Sequence, residues 1–123
     1  MRAPIRISLA CLAFLAGCGS TPVQVIESGP RHEFASSLAS RQAANCVARN
    51  GQNINSQYTA TLADLPAADQ FEVVVSAPQT SAGAIVVAHT SAAANGSRIT
   101  FIMSPRMSES AAPEWIEKLR KGC

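Results

Sequence analysis

Apolar residues recur at helical spacing in two stretches of the chain. In the first, from Glu33 to Asn50, they lie on one wide arc that no proline interrupts. This pattern predicts a helix that buries one face and ends at Asn50-Gly51. The second predicted helix runs from Ser110 to Lys121, with Pro113 in its first turn, where a missing backbone donor matters least.

Between these helices the pattern changes to a period of two, which is typical of half-buried strands. Four segments show it: Gln57 to Leu62, Phe71 to Ser76, Ala84 to Thr90 and Arg98 to Ser104. The predicted order is α-β-β-β-β-α. This order indicates an α+β fold, in which a three- to four-stranded antiparallel sheet has two helices packed on one face. The three-stranded alternative leaves Gln57 to Leu62 irregular.

The dipeptide Asn95-Gly96 predicts a hairpin between the last two strands. A two-residue turn would put Ile85 and Val87 on the face opposite to Phe101. A three-residue turn with a glycine bulge would bring them to the same face, and would turn His89 toward Phe101. Because the second register buries more apolar surface on one face, we expect the bulged hairpin.

The first 17 residues have the layout of a secretory signal. Arg2 and Arg6 precede the uncharged apolar run Ile7 to Leu15, which is shorter than the ~20 apolar residues that a spanning helix needs. Leu15-Ala16-Gly17-Cys18 follows and resembles a lipobox, the site where bacteria cleave before a cysteine and attach lipid to its sulfur. The alternative is an ordinary secreted protein that is cut at one of the same small residues and keeps Cys18 as a free thiol.

The predicted lipidation of Cys18 divides the chain into three parts. Residues 1–17 are a signal peptide, residues 18–32 are the lipidated cysteine and a flexible tether, and residues 33–123 are a single α+β domain. Several acyl chains on one residue give stable anchoring. Gly19 resembles the outer-membrane default of two-membrane bacteria, so the expected place is the outer membrane, facing the periplasm, with surface exposure as the alternative.

Removal of the signal also changes the charge. The whole chain has ten Lys and Arg against eight Asp and Glu, a formal net charge of +2. Because Arg2 and Arg6 leave with the signal, the remaining 106 of 123 residues carry eight charges of each sign. The basic run Lys118 to Lys121 fits the C-terminal end of a helix. A neutral domain offers no electrostatic basis for a nucleic-acid partner, and the predicted partner is the membrane.

Three cysteines remain after cleavage, namely Cys18, Cys46 and Cys123. With Cys18 lipidated, the other two form an even pair in an oxidising compartment, which indicates a disulfide. Both lie on the apolar arcs of the predicted helices, which the bond would join side by side. The closed loop of about 78 residues would contribute at most about 4–5 kcal/mol in the chain-entropy account.

No catalytic or metal-binding motif is recognisable in the mature chain. Its two histidines, His32 and His89, belong to no His-Glu-x-x-His pattern, and neither Cys-x-x-Cys nor Gly-x-Ser-x-Gly occurs. We therefore predict no catalytic residue, no cofactor and no metal ligand, and expect that the protein is not an enzyme.

The layout resembles that of small uncharacterised lipoproteins of Burkholderia-type proteobacteria. The shared parts are the lipobox, a short tether, a helix with one cysteine, three or four strands, and a C-terminal segment that ends at a second cysteine, here Cys123. The likeness covers the whole chain, and it implies an architecture and a location without an activity.

Three functions fit these observations. The leading hypothesis is a non-catalytic envelope protein that binds a protein partner or has a structural role, with an apolar patch on the outer sheet face formed by Val74, Ile102 and Val86. A surface-antigen role is compatible with all three functions. The alternatives use other residues. A module that binds lipid or peptidoglycan fragments would need a pocket between helices and sheet, and a hydrolase would need His89 beside a serine and an acid. The residues expected to line the pocket are Trp115, Phe71 and Phe101.

Overall fold

The computed structural model describes residues 20–78, 80 and 83–123. The predicted signal peptide, the predicted lipidation site Cys18 and Gly19 lie outside the described residues. The elements follow the order α1 (Pro22–Ser28), β1 (Arg31–Ser36), α2 (Ser40–Gln52), β2 (Thr59–Asp64), β3 (Phe71–Ala77), β4 (Gly83–Ala93), β5 (Gly96–Met103) and α3 (Ala112–Arg120).

The five strands form one antiparallel sheet in the order β1-β5-β4-β3-β2. Helices α2 and α3 cover one face, where Val47, Ile116 and Leu119 pack with strand residues such as Phe101 and Val73. Helix α1 packs on the opposite face. The α+β class and the antiparallel sheet agree with the prediction, whereas the fifth strand and the third helix are additional to it.

Strand β1 takes residues that the helical arc had assigned to the first helix. That helix was expected to begin at Glu33, and it begins at Ser40. Phe34 instead pairs with Ile99 of β5, and its ring meets the ring of Phe101 edge to face, with centroids 5.8 Å apart. A short segment with apolar residues fits both periods, and pairing with β5 decides between them.

The prediction of a flexible tether is wrong for residues 20–32. This segment contains α1 and the start of β1, and the folded domain already includes Ser20. Val25 of α1 is fully buried against Val87 and Ile102. The physical reason is that the second sheet face carries apolar side chains too, and α1 removes them from water.

The prediction of a bulged hairpin between β4 and β5 is also wrong. Ala93 pairs with Gly96, so Ala94-Asn95 is a two-residue turn. Val87 pairs with Ile102 on the face opposite to the main core. This register buries apolar residues on both faces, because α1 covers the face that would otherwise be exposed.

A register irregularity does occur in β4, but against β3 and not against β5. Val75 pairs with Val86 and Ser76 pairs with Ala84, which leaves Ile85 as the extra residue. As a result, Ile85 and Val86 both contribute to the core under α2 and α3. Ile85 is therefore buried, as expected, but the register irregularity that buries it lies between β3 and β4 and not in the β4–β5 hairpin.

The C-terminus is held against α2. The sulfurs of Cys46 and Cys123 lie 2.09 Å apart, at disulfide distance, with their Cα atoms 5.7 Å apart. The Asn50 amide donates to the carbonyl oxygens of Leu119 and Lys121 at 2.7 and 2.9 Å. These bonds satisfy carbonyl groups that the end of α3 would leave without partners.

We expect Gly96→Ala to destabilise the fold by about 2–3 kcal/mol. Gly96 has a φ of 141°, and a Cβ atom there would collide with the carbonyl oxygen of Ser36 in β1. Urea unfolding measures the loss. The matched control is Gly122→Ala: Gly122 has a φ of 74° but has nothing within 4 Å of the added atom, so only strain of about 1–2 kcal/mol is expected. Equal losses would contradict the close approach of β1 to the turn.

Candidate functional site

The first described residue, Ser20, is fixed to one end of the sheet. The Ala84 amide donates to the Ser20 carbonyl oxygen at 2.8 Å, and the hydroxyl oxygens of Ser20 and Ser104 lie 3.3 Å apart. Ser20 also forms a parallel bridge with Gly83 and is only 6% exposed. We call this region, defined by Ser20, Gly83, Ala84 and Ser104, the Ser20 end.

The residues directly after Ser20 form a stable N-terminal cap for α1. The Gln24 amide donates to the Thr21 hydroxyl at 3.2 Å, and the Thr21 amide donates to the Gln24 side-chain oxygen at 3.0 Å. This is a capping box, and Pro22 occupies the first helical position, where proline is favoured. The chain therefore passes from Ser20 into an ordered helix with no intervening linker.

A groove opens beside the Ser20 end, on the α3 side of the sheet. We call it the Trp115 groove; its volume is about 260 Å³ and its lining residues are Tyr58, Ala84, Ile85, Ser104, Arg106, Met107 and Trp115. Tyr58 immediately precedes β2, and Trp115 lies near the start of α3. Their rings pack edge to face, with centroids 5.0 Å apart.

A second groove lies along β1. This β1 groove has a volume of about 280 Å³, and its lining residues are Pro30, His32, Met103, Met107, Ser108, Glu109, Ala112 and Pro113. Met107 lines both grooves. Most of the lining is apolar, and His32 and Glu109 add polar groups, which is the usual composition of a small-molecule site.

The predicted docking patch on the outer sheet face is not available as a surface. Ile102 and Val86 are fully buried, and Val74 is partly buried. Ile102 and Val74 lie in the cluster that α1 covers, whereas Val86 belongs to the main core on the other side. The chain's own residues thus occupy the face that we expected a partner to occupy.

The predicted pocket between helices and sheet is filled in the same way. Phe101 is fully buried and Phe71 is 6% exposed, so both are core side chains. The Arg41 guanidinium lies 4.6 Å from the centroid of the Phe71 ring. Of the three residues expected to line the pocket, Trp115 lies at a groove.

His89 lies on the sheet face that carries α1, and not on the face of Phe101, because the hairpin register differs from the expected one. Its Nε2 atom is 2.9 Å from Oε2 of Glu72, which is its direct cross-strand neighbour on β3. Thr100 is its neighbour on β5. A polar pair directly opposite across two strands stabilises their pairing. His32 is separate from this pair and lines the β1 groove.

Comparisons with protein-family models, curated proteins and solved structures found no match. The resemblance to Burkholderia-type lipoproteins therefore stays a prediction. Among residues 20–78, 80 and 83–123, no group of three or more His, Cys, Asp or Glu side chains could hold a metal ion. Within the same residues, none of the helices combines the length and the apolar character needed to cross a bilayer.

We expect Val25→Ala to lower the free energy of unfolding by about 2 kcal/mol, because Val25 is buried between α1 and the sheet. Val23→Ala on the same helix is the matched control. Val23 is 60% exposed, so its truncation should change stability by less than about 0.5 kcal/mol. Urea unfolding compares the two variants, and equal small effects would mean that α1 does not dock on the sheet.

Proposed function

We propose that this chain is a lipid-anchored bacterial envelope protein without catalytic activity. In this proposal the signal peptide is removed before Cys18, lipid on the Cys18 sulfur holds the protein in the outer membrane, and the domain faces the periplasm. The role of the domain is to bind an envelope protein partner or to contribute structurally to the envelope.

The observation that carries the proposal is the sequence Leu15-Ala16-Gly17-Cys18 directly after an uncharged apolar run. The fold adds two supports. Cys46 and Cys123 are at disulfide distance, which suits a small domain in an oxidising compartment. The folded domain includes Ser20, so an anchor on Cys18 would lie only two residues from it.

The arrangement of the polar side chains favours a non-catalytic role. His89 is engaged with Glu72 on the sheet face that carries α1, and His32 lies elsewhere, in β1. A hydrolase would need a nucleophile, a base and oxyanion donors that converge at one point. Among the residues described by the structure, the groups that the sequence singled out do not converge in this way.

A small-ligand module is the second candidate, and the β1 groove is the observation that favours it. Its volume of about 280 Å³ lies just below the ~300–1,000 Å³ of typical ligand pockets. Its Met-rich apolar lining suits a fragment with an acyl chain, because methionine side chains adapt to irregular apolar shapes. A lipid fragment is therefore the ligand class that fits this groove.

Cys18→Ala should abolish acylation and release the protein from the membrane fraction of a Gram-negative host. Cys11→Ala is the control, because Cys11 lies in the apolar run of the signal and should not affect anchoring. Mass spectrometry of the native protein should find acyl mass on Cys18 and no free thiol. A free Cys18, or a disulfide from Cys18 to Cys46 or Cys123, would disprove the proposed anchoring.

The two candidate roles differ in what leaves the membrane with the protein. The leading proposal predicts that a protein partner co-purifies in stoichiometric amount with the protein extracted from native membranes. The control is the purified protein in lipid-only vesicles, from which no partner should be recovered. Native mass spectrometry reads both outcomes. A small-molecule mass that Ser108→Phe removes would favour the ligand module instead, because Ser108 lines the β1 groove. Ser110→Phe, at an exposed position outside the lining, is the control and should retain it.

A further inference from the structure

We infer that the Trp115 groove faces the bilayer, with Tyr58 and Trp115 at the level of the lipid headgroups. The inference rests on the proposed lipidation of Cys18 and extends it to the orientation of the whole domain. The partner of the groove is the membrane surface itself. The short connection between the lipid and the sheet holds the groove against that surface.

The connection between Cys18 and the folded domain is too short to act as a spacer. Two residues span at most about 7 Å between the Cα atoms of Cys18 and Ser20. Ser20 cannot move away from the sheet independently, because Ala84, Ser104 and Gly83 hold it. The polar region of one leaflet is itself about 5–7 Å thick. A lipid on Cys18 therefore brings the Ser20 end into contact with the headgroups.

The Trp115 groove is part of that same end. Ala84 and Ser104 contact Ser20 and also line the groove, so the two features share residues. The chain topology agrees with this placement, because β4 begins and β5 ends at the Ser20 end. Tyr58, just before β2, and Trp115, near the start of α3, reach the same end from the other side of the sheet.

The side chains at this end suit a bilayer interface. Trp and Tyr are enriched at the level of the headgroups, where one part of the ring is apolar and another part is wet. Val23, the one large hydrophobic residue of the described chain that is clearly exposed, lies three residues after Ser20. Charges of both signs accompany the groove residues: Arg106 lines the groove, and Glu114 directly precedes Trp115 in α3. The contact should therefore form without anionic lipid.

Trp115 is the only tryptophan of the chain, so its fluorescence reports this surface directly. The acylated protein is reconstituted in vesicles of phosphatidylcholine brominated near the top of the acyl chains. The comparison protein is the double variant Trp115→Phe, Ala94→Trp, which places the indole in the β4–β5 turn. This turn lies one strand length, about 25 Å, from the Ser20 end.

We expect quenching by the brominated lipid to be at least about twofold stronger for Trp115 than for the indole at position 94. Acrylamide should quench Trp115 less in the vesicle-bound protein than in the unanchored Cys18→Ala protein. Circular dichroism checks that each variant is folded.

Equal quenching at the two positions, or stronger quenching at position 94, would overturn the inferred orientation. Acrylamide quenching of Trp115 that is unchanged by anchoring would overturn it as well. The underlying proposal fails separately: if mass spectrometry finds no acyl group on Cys18, both the anchoring and the orientation are wrong. An acylated, vesicle-bound protein with unquenched Trp115 disproves the orientation alone.

Discussion

The inner strands β4 and β5 are apolar on both faces, and the rest of the fold depends on covering both faces. Phe101 and Ala88 face the two larger helices, whereas Ile102 and Val87 face the other way. Two helices on one side would leave the second pair in water. Helix α1 removes this exposure. Because α1 covers Val87 and Ile102, the β4–β5 hairpin can use a two-residue turn. Ile85 is buried by the register irregularity between β3 and β4.

The class of fold was readable from the sequence because the main elements have clean periods. Phe71, Val73 and Val75 recur with a period of two and form the buried side of β3, which extends by one residue beyond the predicted end to Ala77. The segment from Gln57 also forms a strand, beginning at Thr59, which removes the three-stranded alternative. The pairing of the two cysteines followed from parity and from their positions on apolar arcs. The strand periods are local features and the cysteine pairing follows from the cysteine count, so neither required knowledge of the tertiary contacts.

Features that depend on tertiary contacts were not predicted. The segment after Cys18 has the Gly, Pro and Ser content of a linker, which predicted a tether. The capping box between Thr21 and Gln24, which starts α1, was not predicted. The spacing of apolar residues around Phe34 fits a helix as well as a strand, and only the pairing of this segment with β5 makes it the strand β1. The Trp115 groove joins Tyr58 to Trp115 across the fold, a contact that no local pattern indicates.

The Cys46–Cys123 bond divides the polypeptide into a covalently closed ring and an N-terminal tail outside it. It closes a ring that contains β2, β3, β4, β5 and α3, with a sequence separation of 77 between its ends. Helix α1, β1 and the first half of α2 form a tail outside the ring, and β1 is attached to it by the strand pairing with β5. Outside the covalent ring, β1 is therefore held by strand hydrogen bonds to β5, and α1 is held by apolar packing together with the backbone hydrogen bonds of Ser20 and Pro30 on either side of it.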